Sequence, residues 1–306
     1  MNVKPRQDRL TVLKLLLEGN SLRSVARLTG FERNTCSRIV VEFGHRCGRF
    51  LNREIRDLTI RHVQVDELFT FVDKHRWNVD KADPLAERKG EIAVYVALDS
   101  DTKLVPVHRV GKLCQQSTYQ FIYDLRGRLK MPRPQSPDEY PDGFAVGKIQ
   151  PVIQISSDGF SGYERPIKSL FGPFADYGQI VKKIVKKKGE RRQWLIRRRI
   201  VEGKITEEDI STSLVERINL TIRTFMRPMA RKSLGFAKKL ENLQAAANAF
   251  FAHYNYCWKH HKIKTSPAYA AGLAPRRFSL EELYDLVHEN TIPLWEDFDE
   301  SSGESP

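Results

Sequence analysis

Apolar residues recur at helical spacing through the first fifty residues and then change period. Leu10, Leu13, Leu16 and Leu17 share one face of a helix. Gly19 and Asn20 interrupt it, and Ser21 can cap a short second helix to Thr29, with Leu22, Val25 and Ala26 inward. A third helix is expected from about Glu32 to Phe43. From His62 the pattern becomes β. His62 to Val72, Glu91 to Leu98 and Leu104 to Val110 read as strands, and the polar turn Asp99 to Lys103 makes them an antiparallel meander. A helix from Gln116 to Leu129 should turn Tyr119, Ile122, Tyr123 and Leu125 inward. Met131 to Gly147, rich in Pro, Asp and Gly, reads as a loop. A short buried strand from Val152 to Ser156, a helix from Ser161 to Leu170 and a strand from Tyr177 to Val185 follow. Two helices come last, about Thr212 to Met226 and about Lys238 to Trp258. The second carries Leu240, Leu243, Ala247, Phe250, Phe251 and Tyr254 as its core stripe. An antiparallel meander followed by alternating helix and strand predicts an α/β fold with a mixed sheet, behind an all-α N-terminal segment.

Composition narrows the class. With 306 residues there is room for about two domains. A chain 41% hydrophobic and 29% charged can bury a core, which excludes a mostly disordered protein. The longest apolar runs are too short to span a bilayer. Lys4, Arg6 and Arg9 lead into no uninterrupted apolar segment, so no signal peptide is expected and the chain reads as soluble and cytosolic. The four cysteines, Cys36, Cys47, Cys114 and Cys257, are scattered, which argues against a disulfide scaffold or structural zinc.

Charge changes the picture more. The net charge is +13, but from Ser279 onward there are nine acidic residues and no Lys or Arg, leaving +22 on the first 278 residues (51 basic, 29 acidic). Such a body favours a polyanion, nucleic acid first. Ala26 and Gly30 have the spacing of a helix-turn-helix, a small residue for close crossing and a glycine for the turn. The next helix opens with Arg33, Asn34, Thr35, Ser37 and Arg38, which can reach base edges or phosphates. A plain three-helix bundle shares the apolar pattern; polar reach and turn spacing together favour DNA binding. Lys182 to Lys204 holds eleven basic residues, among them Lys186, Lys187, Lys188, Arg191 and Arg192, against two acids. It reads as an insertion, and Trp194, Leu195 and Ile196 amid the charge favour a docking or DNA-tracking element over a solvated arm. The expected organisation is residues 1–55 for DNA binding, 56–275 for an α/β domain with a basic insertion at about 182–205, and 276–306 as an acidic tail.

Three acids stand out. Asp66 lies inside an apolar strand, where a carboxylate is costly unless it meets a partner or a metal. Asp158 ends a core strand, where open α/β sheets place their ligands. Glu216 shares one helix face with Asn219, Arg223 and Arg227, opposite Leu214, Val215, Ile218, Ile222 and Phe225. Each acid alone could be structural. Together they suit hard divalent cations, which take oxygen ligands and phosphate.

The segments Val65-Asp66-Glu67-Leu68-Phe69-Thr70, Ser157-Asp158-Gly159-Phe160-Ser161-Gly162-Tyr163 and Val215-Glu216-Arg217-Ile218-Asn219 through Arg223 resemble the DDE transposases. The nearest likeness is to the transposases of the IS-one insertion sequences, supported by Arg231 to Lys238 and by His253-Tyr254-Asn255 with His260, Thr265, Ser266, Pro267 and Ala268. The resemblance spans about residues 8 to 273. It implies a ribonuclease-H-like mixed-sheet core whose Asp66, Asp158 and Glu216 are catalytic and hold two Mg2+ ions, with Mn2+ as a substitute. It implies cleavage at the ends of an insertion sequence and strand transfer into target DNA. Arg223 would neutralise phosphate and Asn219 would orient the glutamate or DNA. The partners implied are double-stranded DNA, as terminal inverted repeats and target, and at least a second copy of the chain on that DNA. Relatives often carry an N-terminal cysteine-rich zinc module; this chain has no matching cysteines, which leaves end recognition to the helix-turn-helix. Its 58-residue interval from Asp158 to Glu216 is also longer than is common. A nuclease of the same fold and a catalytically inactive DNA-binding regulator are the rival readings.

Overall fold

The structure is a computed structural model that describes residues 4–131, 153–185 and 193–289. Lys186, Lys187, Lys188, Arg191 and Arg192, and nearly all of the expected loop after Met131, lie outside the described residues. One six-stranded mixed sheet organises the chain: β1 (His62–Val72), β2 (Gly90–Asp99), β3 (His108–Gly111), β4 (Ile153–Asp158), β5 (Ala175–Val185) and β6 (Gln193–Glu202). Their order across the sheet is β3-β2-β1-β4-β5-β6. β1, β4 and β5 run parallel; β2 is antiparallel to β1, β3 to β2, and β6 to β5. β2 is buried along its whole length except Glu91, the mark of a strand covered on both faces.

Helices cover those faces. α4 (Gln115–Arg128) and α5 (Glu164–Phe171) lie over the face that carries Glu67 and Tyr95. α6 (Ser213–Phe225) and α7 (Leu240–Tyr256) lie over the face that carries Asp66 and His108. Asn255, fully buried in α7, accepts from the Val105 N–H (3.0 Å) and donates to the Val105 carbonyl (2.9 Å), tethering that helix to the turn before β3.

The N-terminal helices are α1 (Arg6–Leu17), α2 (Leu22–Thr29) and α3 (Arg33–Glu54). Ser21 caps α2, its hydroxyl accepting from the Ser24 N–H at 3.1 Å, and Gly30 takes the left-handed turn at φ 71°. α3 runs eleven residues past the expected end at Phe43. Gly44 and Gly48 lie within this extension, packed against α7. A Cβ at Gly44 would collide with the Ala245 carbonyl, and one at Gly48 with the Asn248 side chain. Both glycines let α3 and α7 approach backbone to backbone, at a cost in helix propensity of about 1 kcal/mol each. The same hydrophobic core therefore runs without a break from Leu10 through the sheet to Val287, across the boundary expected near residue 55.

Three further expectations change. The basic stretch at 182–205 is no detached insertion: its second half is β6, an edge strand that extends the sheet. After the short α8 (Pro267–Ala270), the acidic segment past residue 276 begins with α9 (Leu280–Glu289), which buries Leu280, Leu283, Tyr284 and Val287. Its acids pair with the N-terminal helix, Asp285 with Arg6 and Glu281 with Lys14. In α4 the inward residues are Thr118, Phe121, Ile122 and Leu125, whereas Tyr119 and Tyr123 are 42% and 59% exposed. Tyr95 explains this rotation, because its ring packs on Phe121 (5.4 Å between centroids) and its hydroxyl meets Thr118. Among the described residues no helix is long and apolar enough to cross a membrane.

Candidate cation site on the central strands

β1 and β4 pair in parallel with Val65 opposite Ser157, so Asp66 and Asp158 leave neighbouring strands one step beyond that pair. The expectation of two acids on adjacent central strands is met. Asp158 is fixed by a local turn, its Oδ1 accepting from the Phe160 N–H at 3.0 Å. Asp66 accepts from the Glu67 N–H (2.9 Å) and from the Asn219 side-chain amide (2.7 Å). Asn219 is thus placed on the first aspartate, half-buried between α6 and β1.

α6 is fastened at its start by Gln64, which sits two residues before Asp66. The Gln64 side-chain oxygen Oε1 accepts from the N–H groups of Leu214 (2.9 Å) and Val215 (3.0 Å), giving first-turn donors the acceptor they lack inside a helix. Val215, Ile218 and Ile222 face the core. Glu216 then stands at the solvent edge, 47% exposed, paired with Lys182 Nζ of β5 at 2.5 Å and accepting from the Thr212 hydroxyl at 3.0 Å. Arg223 is half-buried and donates to the Met229 carbonyl at 3.2 Å. Arg227 leaves the stripe. α6 stops at Phe225 and Arg227 opens a short 3-10 turn, because Pro228 has no N–H to continue the helix.

The residue that sequence reasoning passed over is Glu67. One oxygen from each of Asp66, Glu67 and Asp158 lies within 4.8 Å of the others. Glu216 is outside that cluster, although its charge acts on Asp66. Consecutive residues of a strand point to opposite faces. Glu67 therefore enters from the α5 side, next to the wholly buried Tyr163. The available signal was a second acid beside Asp66 inside an otherwise apolar strand.

Electrostatics mark the spot. Burial, then the charges of Asp158 and Glu216, raise the Asp66 carboxyl to about 6, against the opposing hydrogen bond from the Glu67 N–H. Burial, then Asp158, raises Glu67 to about 8, with the Tyr163 hydroxyl pulling the other way. Buried like charges without a cation destabilise their ionised forms. Glu67 Oε1, the Tyr163 hydroxyl and Asn219 Oδ1 are all buried without a well-aligned hydrogen-bond partner among the described residues. An all-oxygen donor set, with acids short of positive charge, fits a hard divalent cation rather than a soft one.

The expected DNA-contacting residues of α3 divide. Arg33, Asn34 and Arg38 are exposed, while Thr35 and Ser37 are partly covered. Of the basic hairpin, Arg197, Arg198 and Arg199 are exposed on β6.

No family model matches this chain, and no protein of curated function shows significant sequence similarity to it.

Proposed function

We propose that this chain is a DNA transposase of the insertion-sequence kind, with a ribonuclease-H-like core and a helix-turn-helix at its start. The observation that carries the reading is the meeting of Asp66 and Asp158 on adjacent parallel strands at the sheet's centre, with Asn219 reaching from α6 to the first of them. A mixed sheet with helices on both faces is compatible with such a core.

Two magnesium ions, held by Asp66, Asp158 and Glu216, would supply charge stabilisation to the entering and leaving oxygens at phosphorus. The protein's own residues do the rest. Gln64 fixes the helix that carries Glu216 and Asn219 against the strand that carries Asp66. Arg223 lies close enough to Asp66 to feel its charge and can neutralise a phosphate there. Water attacks at the element's end and frees a 3′-hydroxyl, which then attacks target DNA; no protein nucleophile is required. Arg33, Asn34 and Arg38 reach into the major groove at the terminal repeats, and the basic hairpin follows the phosphates. Two ends must be joined, so a dimer or larger assembly on DNA is part of the reading.

The test is nicking of duplex carrying the element's ends, with and without Mg2+. Cation-dependent release of 3′-hydroxyl ends, lost in Asp66→Asn and Asp158→Asn, is the expected result. Arg33→Ala with Arg38→Ala should weaken end binding by about 1–3 kcal/mol per base contact while sparing random duplex. One observation favours a second reading, a DNA-binding regulator: Glu216 is paired with Lys182 outside the carboxylate cluster, as a structural ion pair would be. Tight, end-specific binding with no nicking under any divalent cation would decide for it.

A further inference from the structure

We propose that Glu67 is a cation ligand, that Asp66, Glu67 and Asp158 together form the chain's tighter divalent-cation site, and that Tyr163 positions Glu67 within it. The proposal deepens the reading of this cluster as a cation site and does not depend on transposition.

Distance is the first ground. Oxygens around one magnesium-sized ion sit about 2.0–2.1 Å from it, so pairs of ligands fall within roughly 4.2 Å of each other. Three carboxylate oxygens already within 4.8 Å need little movement to reach that arrangement. Glu216 is placed differently. Its carboxylate is outside the cluster, 47% exposed and bound to Lys182 at 2.5 Å. A cation held there must first displace the lysine.

The second ground is independent of the acids' proximity. Tyr163 is fully buried, and its hydroxyl, although close enough to Glu67 to act on its carboxyl, makes no well-aligned hydrogen bond among the described residues. It lies against Glu67, near enough to Asp66 and Asp158 to interact with their charges. A buried hydroxyl left without an aligned partner is destabilising. A Tyr163 whose only task was to fill the core could be phenylalanine at no such cost. Glu67 Oε1 and Asn219 Oδ1 are also buried and unpaired on either side of the same strand. A cation at the cluster gives Glu67 its counter-charge, and a small turn of that carboxylate lets the Tyr163 hydroxyl donate to it. The Asn219 oxygen can accept from a water on the cation. Outer partners of this kind fix the orientation of a ligating carboxylate.

Manganese is the probe, because free and bound Mn2+ are distinguishable by electron paramagnetic resonance. The full chain without DNA is titrated with Mn2+ as wild type, Glu67→Gln, Tyr163→Phe and Glu216→Gln, with circular dichroism confirming each fold. Glu67→Gln should weaken the tightest site at least tenfold, and Tyr163→Phe roughly tenfold, the size of a lost outer partner. Glu216→Gln should leave that site within about threefold, since it lies outside the cluster. Wild-type Mn2+ affinity in Glu67→Gln overturns the proposal. So does a pattern in which Glu216→Gln, and not Glu67→Gln, removes the tight site. If Glu67→Gln does not fold, Tyr163→Phe decides: unchanged affinity there overturns the proposal. The nicking assay separates the two readings. A chain that binds Mn2+ through Glu67 but cuts no DNA keeps this site and loses the transposase. One that cuts DNA with Mn2+ binding indifferent to Glu67 does the reverse.

Discussion

Two buried groups of charge in this protein behave in opposite ways. In the helical layer, Glu42 of α3 meets His288 of α9 (3.7 Å), Arg9 of α1 (2.7 Å) and Arg46 one turn along (3.4 Å). Those three hold its carboxyl down at about 2, His288 first, although several of their N–H groups lack a well-aligned acceptor. On the central strands, Asp66 and Glu67 are pushed up to about 6 and about 8, because burial is joined by other acids rather than by bases. Both are partly desolvated carboxylates on regular elements. One has its counter-charge within the chain and ties three helices together. The other has Lys182 at the rim and Arg223 nearby but no base within the carboxylate cluster, and takes its counter-charge from outside. Burial alone does not tell a structural acid from a binding one; the sign of its neighbours does.

The sharpest way to break this contrast is at Asp158. Asp158→Asn should lower end cleavage by about three orders of magnitude or more, since several kcal/mol of charge stabilisation is at stake, while melting stays near wild type. A loss of fold with normal activity per folded molecule would make Asp158 a structural acid after all. Glu42→Gln should do the opposite, costing about 2 kcal/mol in chemical denaturation and leaving Mn2+ binding intact. The loss is below the 3–5 kcal/mol of a fully buried pair because the Glu42 side chain is 32% exposed.

The pH dependence of stability sharpens the same contrast. Glu67 is raised from 4.5 to about 8, so its contribution is full below pH 4.5 and is lost as pH rises through 8. His108 and His253 are lowered to about 4 by burial, so their contribution is full above 6.5 and is lost as pH falls through 4. Between pH 6.5 and 8 the histidines are silent. In chelator, the melting temperature should therefore fall across that window, and Glu67→Gln should flatten the fall. Glu42, at about 2, should matter only below pH 4.5. The smallest effect belongs to the exposed pair. Lys182→Ala should change stability by under about 1 kcal/mol, as surface ion pairs do. A larger loss would move Glu216 into the structural class with Glu42.

Much of the architecture was legible because period and burial agree. The meander β1–β2 and the inner stripe of α7 carry apolar patterns that only one element type satisfies. Asp66 and Asp158 were legible because a charge within an apolar strand is conspicuous. The missed features share a cause: a local signal that tertiary contact reverses. The third helix was expected to end near Phe43, and its continuation through Gly44 and Gly48 makes sense only once α7 lies against them. Arg197 to Arg199 read as part of an insertion, because an edge strand open to solvent on one side tolerates charge. The acidic run of α9 looked like a tail until its acids met Arg6 and Lys14. Glu67 was hidden by its neighbour, since the faces of a strand are separated only once the helices above and below are known.

One feature of α3 bears on how the molecule would measure DNA. At 22 residues the helix is about 33 Å long, close to one turn of duplex. Arg128 of α4 clamps its far end, donating to the carbonyls of Leu51 (3.1 Å), Asn52 (2.8 Å) and Ile55 (3.0 Å). Its first turn, with Arg33 and Asn34 exposed, and the sheet's carboxylates thus belong to one frame joined by a continuous hydrophobic core. In the proposed function such a frame acts as a ruler. The interval from the recognised repeat to the cleaved bond would then be set in base pairs by the protein, and a single base pair inserted between them would turn the scissile phosphate away from the carboxylates.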